Sequence, residues 1–376
     1  MIGRTIMTDI GGPLTIISLA PFGDKGGQGK VYQTNNQKFL IKVWEPFEPP
    51  SDPEAEQREI EKRYSTFSRL GFQHESELRC LPLEYTEVDG RPAYVMERAT
   101  GKEMAEEWES LMQLNLIQRL HIALSLANGI SVLHSHGVVH ADIKRDNFFF
   151  SSQTSSIQVL DIDGGGYFGT DPRCKQFAPN CVVIPKYKSP ELYTTSWTEI
   201  WRRENRRVQP DLWALAVLIY DIVVDREGPF PRRCSGQESC FDQRSVFVDH
   251  PDWPCRHQKE KLNRLGINRQ LVELFTEVFC SANRTRVDYQ RPLAIHWSQC
   301  LRNAIETLLP KSLRCARGHP IEDPSYLICP RCAAQNVTTP IWGYTTCPKG
   351  HRTPAKSPYH PSRAYCMHKN CGEEIV

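Results

Sequence analysis

Residues 140–147, HADIKRDN, set a carboxylate, an ammonium group and a carboxamide at fixed offsets: Asp142, Lys144 and Asn147. A second carboxylate, Asp161, follows the run IQVL and stands 14 residues beyond Asn147. Far upstream, Lys42 lies inside FLIKVW, and the glycine-rich stretch GDKGGQGKVY occupies residues 23–32. Moving a phosphoryl group asks little covalent work of a protein. Phosphates must be held, metal ions must offset charge, and a carboxylate must orient the acceptor hydroxyl. Each segment alone is weak, since glycine-rich stretches are often plain tight turns and LDIDG alone reads as a solvated acidic turn. Three polar groups at the offsets of HADIKRDN are harder to obtain by chance.

Such groups need elements to carry them. FLIKVW alternates Phe39, Ile41 and Val43 with Leu40, Lys42 and Trp44, the period of a strand, so Lys42 projects away from the Ile41 face. After the turn EPFEPPSDP, the stretch EAEQREIEKRYSTFSRL opens on acidic residues and repeats apolar ones at Ile60, Tyr64 and Phe67, which predicts a helix. Leu116, Leu120, Ala123, Ala127 and Ile130 form a second helical stripe, which delivers HADIKRDN. The 376 residues, 40% hydrophobic, are enough for two or three domains. With 46 basic and 44 acidic residues the formal charge is +2, so no overall field draws the chain to nucleic acid or an anionic membrane. The N-terminus does not read as a signal peptide, and the apolar run at 213–224 is too short to span a bilayer. The expectation is a cytoplasmic protein without a membrane partner.

HADIKRDN resembles the protein kinase catalytic loop HRDxxxxN, with Ala141 where that family has arginine. The resemblance implies that Asp142 orients the acceptor hydroxyl, Lys144 neutralises the transferring phosphate and Asn147 ligates the second magnesium ion. GDKGGQGKVY is similar to GxGxxGxV when aligned on Gly26, Gly29 and Val31, although the first glycine position then falls on Asp24. Lys42 matches the lysine that grips the α and β phosphates; its partner is expected to be Glu61 on the following helix, with Glu59 second. AYVMERATG resembles the hinge between lobes, with Met96 as gatekeeper and Glu97 and Ala99 offering backbone contacts to adenine. Asp161 takes the place of the metal-binding aspartate of DFG in the variant motif DID, and Asp163 is the alternative ligand.

Further matches are Lys188 to Glu191 (KSPE) with APE, Asp211 with the helix aspartate that supports the catalytic loop, and Arg291 with the partner of the APE glutamate. The chain over 15–305 is thus similar to the eukaryotic-like Ser/Thr kinases found in bacteria. That implies an α+β, two-lobed protein-kinase-like fold, with a β-rich N-lobe over about 15–97 and a helical C-lobe over about 100–305. It also implies ATP, magnesium or manganese, and a protein substrate with a Ser or Thr acceptor, because DIK is the Ser/Thr pattern. The arginine missing at Ala141 usually binds a phosphorylated activation-loop residue. Its loss predicts that segment 164–191 is ordered by other contacts or by a partner. Asp24, Ala141 and the DID variant keep a rival reading, a pseudokinase scaffold that binds nucleotide without turnover.

Beyond a boundary near 310 the texture changes: six of the 14 cysteines fall in the last 62 residues, beside histidines at metal-ligand spacing. Zinc takes four ligands as two close pairs on tight turns. Cys315 and His319 with Cys329 and Cys332 make one set over 311–335; Cys347 and His351 with Cys366 and Cys371 make a second over 340–376, where His368 could replace either of the last two cysteines. Both resemble zinc ribbons, which implies two structural zinc ions. Lys311, Arg314, Arg317, Arg331, Lys349, Arg352, Lys356 and Arg363 with Trp342 and Tyr344 could form a basic, aromatic surface. Protein recruitment is favoured over nucleic acid, since no recognition helix is evident. The GGQG loop, the DxD motif and the ending RPLAIHW are similar to bacterial kinases encoded beside PP2C-type phosphatases and von Willebrand A-type proteins, including tellurite-resistance-associated systems, which implies those two as partners.

Overall fold

In the computed structural model, residues 1–20, 29–45, 51–152, 154–224, 228–230, 253–254, 256–284, 286 and 289–308 are described, with short strands at 344–346, 352–354, 364–365 and 374–375. The N-terminal part is a six-stranded antiparallel sheet of order β1-β2-β3-β4-β6-β5. Its strands are β1 (Thr5–Thr8), β2 (Gly12–Leu19), β3 (Gly29–Thr34), β4 (Phe39–Trp44), β5 (Glu84–Val88) and β6 (Arg91–Glu97). The alternation of FLIKVW is realised. Phe39, Ile41 and Val43 join Leu14, Ile16 and Val95 in one apolar cluster, and Leu40 and Trp44 join Ile60, Tyr64 and Met96 in another on the opposite face. The sheet starts ten residues earlier than the expected boundary at 15, because Thr5–Thr8 pairs with the start of β2. TIMT is too short to display a period.

Helix α1 (Pro53–Arg69) covers the second face of the sheet. Its start follows local chemistry: Asp52 accepts the Ala55 amide at 3.0 Å, Pro53 opens the first turn, and Glu54 and Glu56 face the positive end of the dipole. Ile60, Tyr64 and Phe67 are buried, each burial contributing about 1.5–3 kcal/mol. Phe67 reaches past the sheet to meet Phe177 edge to face at 5.6 Å, so α1 also anchors the segment after the catalytic loop.

The C-terminal part is helical. Helix α2 (Trp108–Met112) precedes α3 (Leu116–Ser135), which starts on a capping box between Asn115 and Gln118. By length and hydropathy α3 could pass for a membrane span, yet its Leu120, Ala123, Ala127 and Ile130 stripe lies in the core. Helix α5 (Gln209–Val223) follows the short α4 (Trp197–Trp201) and is buried at every position, as a helix apolar all round must be. Helices Arg269–Phe279 and Ala294–Leu308 complete the packing. Strand β7 (Lys102–Glu103) precedes α2, and between α3 and α5 run short strands: β8 (Val138–Val139), β9 (Phe148–Ser151), β10 (Ser156–Val159) and β11 (Gly166–Tyr167). The pair β9–β10 carries the catalytic-loop residues and Asp161 on its two flanks.

Candidate active site

A cleft of about 570 Å³ opens between the sheet and the helical part. Gly29 and Val31 of β3, Leu40 and Lys42 of β4, and Met96, Glu97 and Ala99 line one side; Asp142, Lys144, Asn147 and Asp161 line the other. The residues expected from distant parts of the sequence therefore meet in one place. Gly26 lies outside the described residues, as do Cys315, His319, Cys329, Cys332, Cys347, His351, Cys366 and Cys371. Among the described residues, no group of three or more His, Cys, Asp or Glu is assembled to hold a metal ion.

The catalytic loop is fixed from beneath. Asp211, buried at the start of α5, accepts the His140 amide through Oδ2 and the Ala141 amide through Oδ1, each at 2.8 Å, and meets His134 Nε2 at 3.1 Å. Ala141 has φ of +67°, a conformation that non-glycine residues seldom adopt, so these bonds hold a strained turn. The Asp142 amide donates to His140 Nδ1 at 3.3 Å, which leaves Nε2 to donate to Leu160 O at 3.0 Å. On the Asp142 carboxylate, Oδ2 accepts from Lys144 Nζ at 2.7 Å and Asn147 Nδ2 at 2.9 Å. Oδ1 is buried without a hydrogen-bond partner among the described residues. An unsatisfied buried carboxylate oxygen is costly and is suited to receive a hydroxyl donor.

Lys42 corrects one expectation. Its side chain is buried, and its ionic partners are aspartates: Nζ lies 2.9 Å from Asp161 Oδ1 and 2.8 Å from Asp163 Oδ2. Glu61 is exposed on α1, and Glu59 pairs with Lys62 at 3.3 Å and Arg63 at 3.1 Å. The reason is helix phase. The inward face is set by Ile60, Tyr64 and Phe67, and Glu61 is turned about 100° away from Ile60.

The two aspartates differ in surroundings. Asp161, with φ of +51° and a side chain 41% exposed, lines the cleft. Desolvation acts to raise its pKa, but the Lys42 charge and hydrogen bond outweigh this and hold it below the usual carboxylate value. Asp163 is 2% exposed and accepts from Tyr64 Oη at 3.0 Å and Tyr94 Oη at 3.1 Å. Burial pushes its pKa up, with Asp161 adding and Lys42 opposing. Burial tends to lower the Lys42 pKa, but the two carboxylates raise it well above its ordinary value, so the ammonium form is fixed. Sequence reasoning missed Tyr64 and Tyr94. Tyr64 reads as one of the apolar positions of the α1 stripe and Tyr94 lies in the run AYVMERATG without a role of its own, so their hydroxyls are the only signal.

Asp161 and Asn147 fit a magnesium site, since one opens to the cleft and the other has an amide oxygen to offer. The apolar wall of Val31, Leu40 and Met96 fits a flat base. Segment 164–191 is held without an arginine at 141. Buried Asp221 accepts from Arg145 at 2.7 Å, Lys186 at 2.6 Å and Tyr187 Oη at 3.3 Å. Arg63 donates to the carbonyls of Gly165 and Ala178, and Cys181 Sγ donates to Ala141 O at 3.2 Å. A side chain at Gly165 would stand 2.6 Å from Val139 O, so that turn requires glycine. Further on, Arg291 grips Glu191 through two bonds of 2.6 and 2.8 Å.

Comparison with known proteins places this geometry. Residues 24–298 match the family described as protein kinase domain. Calcium-dependent protein kinase 24 of Arabidopsis thaliana is 28% identical over 202 residues, 51% of this chain and 33% of its own. MAP kinase-interacting serine/threonine-protein kinase 1 of Xenopus laevis is 24% identical over 225 residues, 58% of this chain and 51% of its own. Serine/threonine-protein kinase PKH3 of Saccharomyces cerevisiae is 24% identical over 275 residues, 68% and 28% of the two chains. The chain thus spans between 28% and 51% of the length of these relatives. With its catalytic loop, its lysine and its hinge converging on one cleft, the chain belongs to the protein kinase family.

Proposed function

We propose that this protein transfers the γ-phosphoryl group of ATP to a Ser or Thr hydroxyl of a protein substrate, with magnesium or manganese. The observation that carries the reading is Asp142, with one carboxylate oxygen held by Lys144 and Asn147 and the other unpartnered beside the cleft. The unpartnered oxygen accepts the hydrogen of the acceptor hydroxyl and aims its oxygen. Lys144 offsets the charge of the group in transit, and Lys42 holds the phosphates of the donor. Asp161 and Asn147 hold the cation, which supplies charge neutralisation between the phosphates. Val31, Leu40 and Met96 seat the base.

Purified protein incubated with labelled ATP, magnesium and a mixed Ser/Thr peptide library tests this, with Asp142→Asn and Asp161→Asn in parallel. Label transfer by the wild type, lost in both variants, is expected. Nucleotide binding without any transfer would favour the scaffold reading instead.

For the tail, two strand pairs support zinc ribbons: Tyr344–Thr346 with Arg352–Pro354, and Ala364–Tyr365 with Glu374–Ile375. In sequence they bracket Cys347 and His351, and Cys366 and Cys371. The ribbons dock a substrate or regulator, with a PP2C-type phosphatase and a von Willebrand A-type protein as the first partners to try.

A further inference from the structure

The face of α1 turned toward the sheet presents Ile60, Tyr64 and Phe67 and no carboxylate, yet Lys42 is buried. A buried ammonium needs a fixed counter-ion, or its desolvation goes uncompensated. Asp161 and Asp163 both reach it, at 2.9 and 2.8 Å, and their remaining contacts separate their roles. Asp163 has both oxygens committed: Oδ1 to Tyr94, and Oδ2 to Tyr64 and Lys42. All three partners are donors, so both oxygens are engaged and three of about four lone-pair sites are taken. At 2% exposure, a hydrated metal ion has no approach to it. Asp161 meets Lys42 through Oδ1 and is 41% exposed in the cleft.

Tyr64 ties this arrangement to the helix. Its ring meets Tyr94 edge to face at 4.7 Å, and the two hydroxyls converge on Asp163 from α1 and β6. Building on the kinase reading above, we propose that Asp163 is the positioning residue for Lys42. It does the work expected of a glutamate on α1, and Tyr64 transmits the position of α1 to it. The metal-facing role falls to Asp161 alone, and the second aspartate of DID is a structural counter-ion rather than an alternative ligand.

The test uses the full chain, with kcat and KM for ATP measured across a magnesium titration. Asp163→Asn keeps the shape and removes the charge. The expected result is a rise in KM for ATP on the order of tenfold, with a fall in kcat and an unchanged magnesium requirement. Asp161→Asn, in which transfer is lost, should shift the magnesium dependence of fluorescent ATP-analogue binding, and Asp163→Asn should leave that dependence unchanged. In a Lys42→Met background, Asp163→Asn should weaken binding of a fluorescent ATP analogue no further, because its effect passes through the lysine. Tyr64→Glu added to Asp163→Gly, which moves the carboxylate onto the helix, should recover part of the loss.

A magnesium shift in Asp163→Asn equal to that of Asp161→Asn would overturn the proposal, and so would a full additional loss in the Lys42→Met background. If Asp163→Asn does not fold, Tyr64→Phe reads the same contact with one hydroxyl removed. It should raise KM for ATP less, again without a magnesium shift; no change in KM counts against the proposal. If the wild type turns over no ATP, the kinase reading fails, while analogue binding by the same variants still decides the role of Asp163.

Discussion

Asp211 Oδ1 accepts the amide hydrogen of Ala141 at 2.8 Å, and this bond spans 70 residues to fix the left-handed backbone of the residue next to Asp142. Asp211→Asn replaces an acceptor with a donor facing two backbone amides. A charge-assisted bond of this kind contributes about 1.5–3 kcal/mol. Steady-state kinetics should show kcat lowered about 10- to 100-fold, with KM for ATP less affected, since Lys42 and Met96 do not touch Asp211.

Asp142→Asn removes the charge on the oxygen that awaits the hydroxyl, while its neighbours Lys144 and Asn147 stay. Loss of a positioned acid–base group costs about 10²- to 10⁴-fold in rate. Phosphate transfer should fall by that order. Binding of a fluorescent ATP analogue should persist, and a variant with wild-type turnover would rule out the assigned role.

Ala141→Arg tests whether the missing arginine is a defect awaiting repair. Ala141 is 3% exposed and packs with Val139 and Trp197, so a long cation there has no room. Urea unfolding should show destabilisation of about 1–3 kcal/mol, with no gain in activity. Because Arg145, Lys186 and Tyr187 already converge on Asp221, phosphatase treatment of the wild type should leave its turnover unchanged, and Asp221→Asn should lower it.

Glu191 gives the fold an acid limit. Burial acts to raise its pKa, but Arg291 outweighs burial and holds it below the ordinary carboxylate value. A depressed folded pKa means the pair stabilises fully at neutral pH. That contribution fades as pH falls below the unfolded value and is gone below the folded one. Melting temperatures from pH 7 to 3 should fall more steeply for wild type than for Glu191→Gln. At pH 7 that variant should already be about 3–5 kcal/mol less stable, because Arg291 is left buried without its partner.

The tail sets a metal prediction. Zinc content measured by atomic emission should be two ions per chain. Cys315→Ser and Cys347→Ser should each remove one, and a content of zero in the wild type would dismiss the ribbons.

Much of the site was legible because it is local: HADIKRDN carries four cleft residues in eight positions, and the β4 alternation showed which way Lys42 points. What stayed hidden was the partner of Lys42. The kinase resemblance and the EKR context point to Glu61, whereas the stripe of Ile60, Tyr64 and Phe67 sets the phase of α1 against it. Asp163 could be read only as the alternative to Asp161 as metal ligand, because its burial depends on two tyrosines from separate elements. Strand β1 was missed for another reason: four residues, mostly exposed, leave no period to find.

The two carboxylates that Lys42 meets are separated by Ile162 alone. A rotation of that short turn would withdraw the lysine's counter-ion and the cation's ligand in a single motion. In an arrangement with the counter-ion on a helix, two parts must fall into place independently, and each is a separate handle for control. Here both sit on one short turn that Tyr64 ties to α1, so turn and helix should move together and the on and off populations should follow a single coordinate.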